Sequence, residues 1–171
     1  MDKNEQRILE LADEKSEEII ALGRDVWNHG EPGFREYETA HIVAECLEKC
    51  GLEVQTGIAI TGIKSDLKSL GESKAKIAVV GELDAIPIPN HMSANPKTGA
   101  AHCCGHNSQI AGILGAAMIL SSNEIRRELC GDVSFIAVPS EEYIDIEYKD
   151  SLIRSGRISF GSGKQEMLSL G

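Results

Sequence analysis

Four of the five residues from His102 to His106 carry a thiol or an imidazole, the groups that proteins use to bind transition metals. Neighbouring side chains diverge, so all four cannot reach one ion. Cys104 and His106 can point to the same side because Gly105 between them allows a tight bend. A thiolate and an imidazole suit zinc, manganese or a similar divalent ion, and zinc is the softer match.

Two other interpretations of this segment remain open. It could be a polar loop with incidental thiols, or Cys104 and His106 could form a catalytic nucleophile and base. A nucleophile and a base two residues apart rarely face each other, so the metal interpretation is favoured over the catalytic pair.

A second group of candidate residues is the pair Glu141 and Glu142. Adjacent glutamates on a surface are usually solvated charge, but these follow the apolar run 132–139. Two carboxylates leaving an apolar strand would repel each other unless a cation lies between them. One carboxylate can then bind the ion while its neighbour holds a water molecule and accepts its proton.

Asp84, together with Glu82, ends another apolar run, residues 76–83. Three roles are open for Asp84. It could bind a metal, orient a metal ligand through a hydrogen bond, or cap a turn.

The order of elements predicts how these residues meet. The runs 76–83 and 132–139 are rich in β-branched residues and predict buried strands, the first covered on both faces. The segments 4–29, 39–50 and 107–121 predict helices, 52–56 and 58–67 predict weaker strands, and 84–105 predicts a long loop. A strand, helix, strand order predicts an α/β domain with parallel strands, and such sheets bind ligands beyond the carboxyl ends of the strands. The polar clusters fall at those ends.

Composition and charge narrow the class of protein. Hydrophobic residues make up 42% of the 171 residues and charged residues 26%, which predicts a folded globular domain. The net charge of −10 argues against nucleic acid as a partner, because phosphate binding needs clustered Lys and Arg. No apolar run is long enough to span a membrane, and no signal peptide is visible. We therefore predict a cytoplasmic protein with reduced thiols and no membrane partner.

Several motifs in the same order resemble the aminoacylase-like family of dinuclear metallopeptidases and amidohydrolases. They are VWNHGEPGFREYETA, GELDAIP, HCCGHNSQIAGILGAAMIL, FIAVPSEEY and FGSGKQEMLSLG. The closest resemblance is to the aminobenzoyl-glutamate hydrolase-like branch, with which Asn107 after the His is associated. Other branches have a His ligand at the position of Glu82, and its replacement fits a site that uses the cysteine instead. The resemblance implies an α/β three-layer sandwich with a mixed, mostly parallel sheet.

The resemblance also implies roles for individual residues. Cys104, His106 and Glu142 match the metal ligands, Glu141 matches the general base, and Asp84 takes a supporting catalytic role. The implied cofactors are two divalent metal ions, manganese or zinc. The implied reaction is hydrolysis of an N-acyl amino acid or a similar small-molecule amide by metal-activated water, in a full-length form that is a homodimer.

The chain departs from the family after these motifs. The family uses two further ligand histidines and a lid or dimerisation domain, and the chain has no histidine after His106. We expect residues 1–171 to be the N-terminal portion of the catalytic domain, binding metal weakly and turning over little substrate alone. A non-catalytic binding protein that kept the fold is the alternative. A structural zinc protein is less favoured, because it needs four protein ligands and only one cluster is present.

Overall fold

The computed structural model describes residues 2–171 and contains a four-stranded sheet with three helices packed against one face. The helices are α1 (Lys3–Glu14), α2 (Ser16–Asn28), α3 (Tyr37–Lys49), α4 (His106–Leu120), α5 (Asn123–Arg126), α6 (Ile146–Arg154) and α7 (Gly163–Leu170). The strands are β1 (Val54–Ile58), β2 (Gly62–Leu67), β3 (Lys76–Glu82), β4 (Ile86–Pro87), β5 (Ala100–Ala101) and β6 (Asp132–Val138). In this part of the chain, no helix is long and apolar enough to cross a membrane.

The main sheet is mixed, with strand order β1-β2-β6-β3. β1 with β2 and β2 with β6 pair antiparallel, and β3 with β6 pair parallel. This confirms the predicted α/β class with a mixed sheet, although the parallel pairing among the described strands is limited to β3 and β6. In that pair Glu82 lies opposite Val138, so the two strands end level. The chain segments after both strands therefore emerge at the same edge of the sheet.

The hydrophobic core lies between this sheet and helices α2, α3 and α4. Alternate residues of the central strands point into it, as the period of two in a strand requires, and the largest of these are Ile63, Leu67 and Phe135. Helix α4 approaches β3 closely at Gly81, where an added Cβ would lie 2.6 Å from Cδ1 of Ile113. A side chain at this position would require Ile113 to shift. Gly81 thus allows α4 to pack closely against the end of β3.

Two predictions about individual elements were wrong. Residues 4–29 form two helices rather than one, with α1 ending at Glu14 and α2 beginning at Ser16. Strand β3 is not covered on both faces, since it lies at the edge of the described sheet and its Ile77 and Val80 are 64% and 48% exposed. An apolar, β-branched run indicates a strand but carries no information about which neighbours cover it.

Candidate metal centre

His106 occupies the centre of the polar cluster at the edge where β3 and β6 end. It is the first residue of α4, it is buried, and its Nδ1 lies 2.8 Å from the backbone oxygen of Asp84. A carbonyl oxygen can only accept, so we assign the ring proton to Nδ1 and the free lone pair to Nε2. Nε2 faces carboxylate oxygens of Glu82 at 3.0 Å, Glu141 at 3.8 Å and Glu142 at 4.0 Å. The ring therefore presents one ligand atom to three carboxylates.

Asp84 links the histidine to the glutamate pair. Its side chain is 1% exposed, its Oδ1 lies 3.3 Å from Nδ1 of His106, and its Oδ2 accepts a hydrogen bond of 2.9 Å from the backbone N–H of Glu142. Burial alone would raise the pKa of Asp84, but the hydrogen bonds from His106 and from the backbone lower it below its usual range. Asp84 thus orients two other groups rather than facing Nε2 itself.

The same contacts favour the charged form of His106. Burial alone would lower the pKa of its imidazole, but Asp84 and Glu82 outweigh burial and raise the pKa to about 9. A cation that binds Nε2 must displace any proton that this atom carries.

Buried groups from distant parts of the chain hold the turn that carries the glutamate pair. Ser140 has a positive φ of 47°, and its backbone N–H donates a 2.7 Å hydrogen bond to the buried Glu36. The buried Lys149 in α6 donates to the backbone oxygen of Glu142 at 2.5 Å. Burial is the main cause of a lowered pKa for Lys149 and of a pKa of about 7 for Glu36. These contacts fix where Glu141 and Glu142 leave β6.

Glu36 and Lys149 were missed from the sequence. Glu36 lies in the motif FREYETA, which carries the resemblance but gives no sign of what the carboxylate contacts. Lys149 is one charged residue on a short amphipathic helix, and no local pattern marks it as buried.

Among residues 2–171, two groups of three side chains could each hold a metal ion. Ligand atoms of Cys104, His106 and Glu142 lie within 4.8 Å of one another, and so do those of Glu82, His106 and Glu141. Ligands of one zinc ion, at about 2.0–2.3 Å from it, are roughly 3–4 Å apart, so modest side-chain movements close the first group around a cation. Its donors are a thiolate, an imidazole and a carboxylate, which suit a borderline divalent ion. The residues present therefore fit the metal that the sequence predicted.

A bound cation would favour the ionised form of Cys104. Its thiol is exposed, and its hydrogen bond to the Glu142 carboxylate, followed by burial and nearby negative charge, raises its pKa. A divalent ion reverses this by stabilising the thiolate. The structure brings Cys104, His106 and Glu142 together with Glu141 and Asp84 beside them, while their roles as ligands, base and supporting residue stay predictions.

The fold and this cluster define an α/β protein with a candidate metal centre at the carboxyl ends of its strands. Comparison with known proteins identifies proteins that are similar to it. N-acetylcysteine deacetylase from Bacillus subtilis is 35% identical over 128 residues, covering 72% of this chain and 33% of that protein. A dinuclear metal-binding peptidase of the M20 family, also from Bacillus subtilis, matches in structure with a TM-score of 0.64 at 32% identity, over 81% of this chain and 38% of that one. No family model matches.

The relatives and structural neighbours of this chain include M20-family amidohydrolases and peptidases, the class that its motifs resemble. The fold is also shared by the aminobenzoyl-glutamate utilization protein of Klebsiella pneumoniae, with a TM-score of 0.62 and 18% identity over 80% of this chain and 39% of that one. The chain spans about a third of the length of the curated relatives it matches. These relatives are hydrolases.

Proposed function

We propose that the protein is a metal-dependent amidohydrolase or peptidase that hydrolyses an N-acyl amino acid or a similar amide. The observation that carries this proposal is the cluster of Cys104, His106 and Glu142 ligand atoms within 4.8 Å, with Glu141 adjacent to it in sequence and 3.8 Å from His106. The name of the deacetylase relative supports an N-acyl amino acid as the substrate class.

Divalent cations, manganese or zinc, are the proposed cofactors. Cys104, His106 and Glu142 would hold one ion, and two ions are proposed because a structural relative is a dinuclear metal-binding peptidase. When bound, the ions would supply Lewis-acid activation of water and of the amide carbonyl.

The chain's own residues would then perform the proton transfers. Glu141 accepts the proton of the attacking water and delivers it to the leaving amine as the tetrahedral adduct collapses. Asp84 holds His106 in the tautomer that leaves Nε2 free, and it fixes the backbone of Glu142. Lys149 and Glu36 keep the turn in place, so that Glu141 does not have to be ordered during the reaction.

Location and assembly belong to the same proposal. A cytoplasmic protein is consistent with five cysteines that are all free thiols. The homodimer of the full-length form is proposed from the family resemblance.

Replacing Glu141 with Gln tests the proposal. In the protein at its full natural length, loaded with Mn²⁺ or Zn²⁺, we expect Glu141→Gln to lower the hydrolysis of N-acetyl amino acids by roughly 10²–10⁴-fold because the general base is lost. Binding of the ion held by Cys104, His106 and Glu142 should stay within about twofold, since Glu141 is not a member of that group. The exposed Glu128→Gln is the matched control.

Unchanged hydrolysis by Glu141→Gln would exclude it as the base. A wild-type protein that binds the ion and releases no amine from any N-acyl amino acid would support the non-catalytic binding protein instead.

A further inference from the structure

Cys46 and Cys50 form a pair of thiols at the end of α3 that the proposed hydrolysis does not use. The backbone N–H of Cys50 donates to the oxygen of Cys46 at 3.1 Å, so the helical turn that relates them is complete. Residues four apart in a helix face the same side, with Cβ atoms about 5–6 Å apart. Both thiols are free, Cys46 is buried and Cys50 is half-buried.

The two thiols interact directly. The Cys46 thiol donates a hydrogen bond to the sulfur of Cys50, and this bond lowers the pKa of Cys50 and raises the pKa of Cys46. A hydrogen bond with Ser121 also lowers the pKa of Cys50, against the opposite effect of burial. Cys50 is therefore the first of the pair to become a thiolate, which is the form of cysteine that binds metals.

Both cysteines line an open cavity of about 230 Å³, and Met118 of α4 lines it as well. Three side chains that contain sulfur thus border one space. Met118 lies twelve positions after His106 in the same helix, which at about 1.5 Å per residue places it roughly 18 Å along the helix axis. The cavity is therefore separate from the candidate metal centre.

The ligand types at this cavity favour a soft ion. Thiolate and thioether sulfurs are the ligands of Cu⁺, which accepts as few as two of them, whereas structural Zn²⁺ takes four protein ligands. Glu18 also lines the cavity, but it does not complete a group with the thiols. Among residues 2–171, the groups of three His, Cys, Asp or Glu ligand atoms within 4.8 Å are both at the candidate metal centre.

The charges at the cavity are compatible with this ion. Lys15 and Lys49 line it, and each forms an ion pair with a glutamate, Glu18 and Glu45 respectively. Two thiolates and one monovalent cation carry a net charge of −1. The two ammonium groups stabilise this charge at a site that is only partly exposed to solvent.

We propose that Cys46 and Cys50, with Met118 beside them, form a binding site for a soft monovalent cation, Cu⁺. Binding replaces the two thiol protons, which pass to solvent, with the ion, and no electron is transferred. The inference goes beyond the proposed hydrolysis, because the residues that line this cavity differ from those of the candidate metal centre.

Competition for Cu⁺ against a chromophoric Cu⁺ chelator, under oxygen-free conditions, tests the inference. The parent protein, at its full natural length, carries Cys103→Ser and Cys104→Ser so that the thiols of the other cluster do not contribute. We expect this parent to take one equivalent of Cu⁺ from the chelator. In Cys50→Ser and in Cys46→Ala the affinity should fall at least about 100-fold, because loss of a ligand costs more than the roughly 10–100-fold lost with a supporting group.

Cys130→Ser is the matched control, because Cys130 is an exposed thiol outside the cavity. It should bind Cu⁺ as the parent does, and thermal unfolding checks that every variant folds. Alkylation followed by mass spectrometry adds a measurement at single residues. Bound Cu⁺ should protect Cys46 and Cys50 from alkylation and leave Cys130 reactive.

Three results would overturn this site: copper that stays on the chelator, equal affinity in Cys50→Ser and in the parent, or copper uptake that depends on Cys130. Zn²⁺ that binds these two cysteines in preference to Cu⁺ would overturn the choice of ion. The hydrolysis of N-acyl amino acids by the wild type is measured separately, so the proposed function does not depend on any of these results.

Discussion

Two clusters of charged side chains in this protein are both rich in glutamate but differ in their surroundings. Near α1, Arg7 contacts Glu10, Glu14 and Glu124 at 2.8–3.3 Å, and all four side chains are between 33% and 58% exposed. At the carboxyl ends of β3 and β6, His106 and Asp84 are buried. Among the described residues, the carboxylates of Glu82, Asp84, Glu141 and Glu142 form ion pairs with His106 and Lys164.

The two clusters differ in their exposure to solvent and in their balance of positive and negative charge. Exposed ion pairs contribute little to stability, because water and salt screen them and ordering the side chains costs entropy. The buried cluster is screened less and carries more negative than positive charge, which a cation can neutralise. A functional site is thus indicated by burial and uncompensated charge, and not by the number of charged residues.

The replacement Asp84→Asn should have the largest effect on this contrast. Asparagine keeps the volume, but it either places an amide N–H toward the Nδ1–H of His106 or removes the acceptor for the Glu142 N–H. We expect the affinity for the first Mn²⁺ or Zn²⁺ ion to fall roughly 10–100-fold, as for other groups that orient metal ligands. Calorimetric titration measures it.

Asp132→Asn is the matched control, because Asp132 lies at the opposite end of β6 and pairs with Lys68. Equal metal affinities in the two variants would mean that the buried cluster behaves like surface charge.

Glu36→Gln tests the buried carboxylate behind the glutamate turn. Burial raises the pKa of Glu36 to about 7 from an ordinary value of 4.5. In the unfolded chain this carboxyl ionises at a lower pH than in the folded protein. Its contribution therefore lowers the stability of the protein as pH rises from about 4.5 to about 7, and that contribution does not change further above pH 7. The glutamine of the variant does not titrate, so this pH dependence of stability is absent from the variant. The thermal midpoint of the variant relative to wild type should therefore rise across this window, by roughly 5 °C.

Only the difference between the two proteins isolates Glu36, because His102 and His106 titrate in both. Burial lowers the pKa of His102 to about 4, which makes its own contribution increase with pH between about 4 and 6.5. A difference between wild type and variant that stays constant from pH 4.5 to 8 would show that Glu36 is already ionised in the folded protein.

Arg7→Ala should have the smallest effect. It removes every ion pair of the α1 cluster, but these are exposed and screened. We expect the thermal midpoint to move by no more than about 2 °C at physiological salt and metal affinity not to change. A loss of stability as large as that of a buried-charge variant would remove the distinction between the two clusters.

The sequence predicted the parts of this site that local patterns encode. Apolar runs ending in Asp84 and before Glu141 indicated strands, and polar residues after strand ends were expected to meet, as they do. The groups that hold them were not predictable in this way. Glu36 contacts Ser140 across 104 positions of sequence, and Lys164 contacts Glu82 across 82, so no local period reports either contact. The edge position of β3 likewise depends on neighbouring strands and not on its own residues.

X-ray absorption spectroscopy of the zinc-loaded protein tests most directly whether Cys104, His106 and Glu142 hold the same ion. With one equivalent of Zn²⁺, we predict one sulfur scatterer at about 2.3 Å and nitrogen or oxygen scatterers at about 2.0–2.1 Å. The sulfur shell should disappear in Cys104→Ser and persist in Cys103→Ser. A zinc environment without sulfur in the wild type, or one whose sulfur survives Cys104→Ser, would contradict the proposed metal centre.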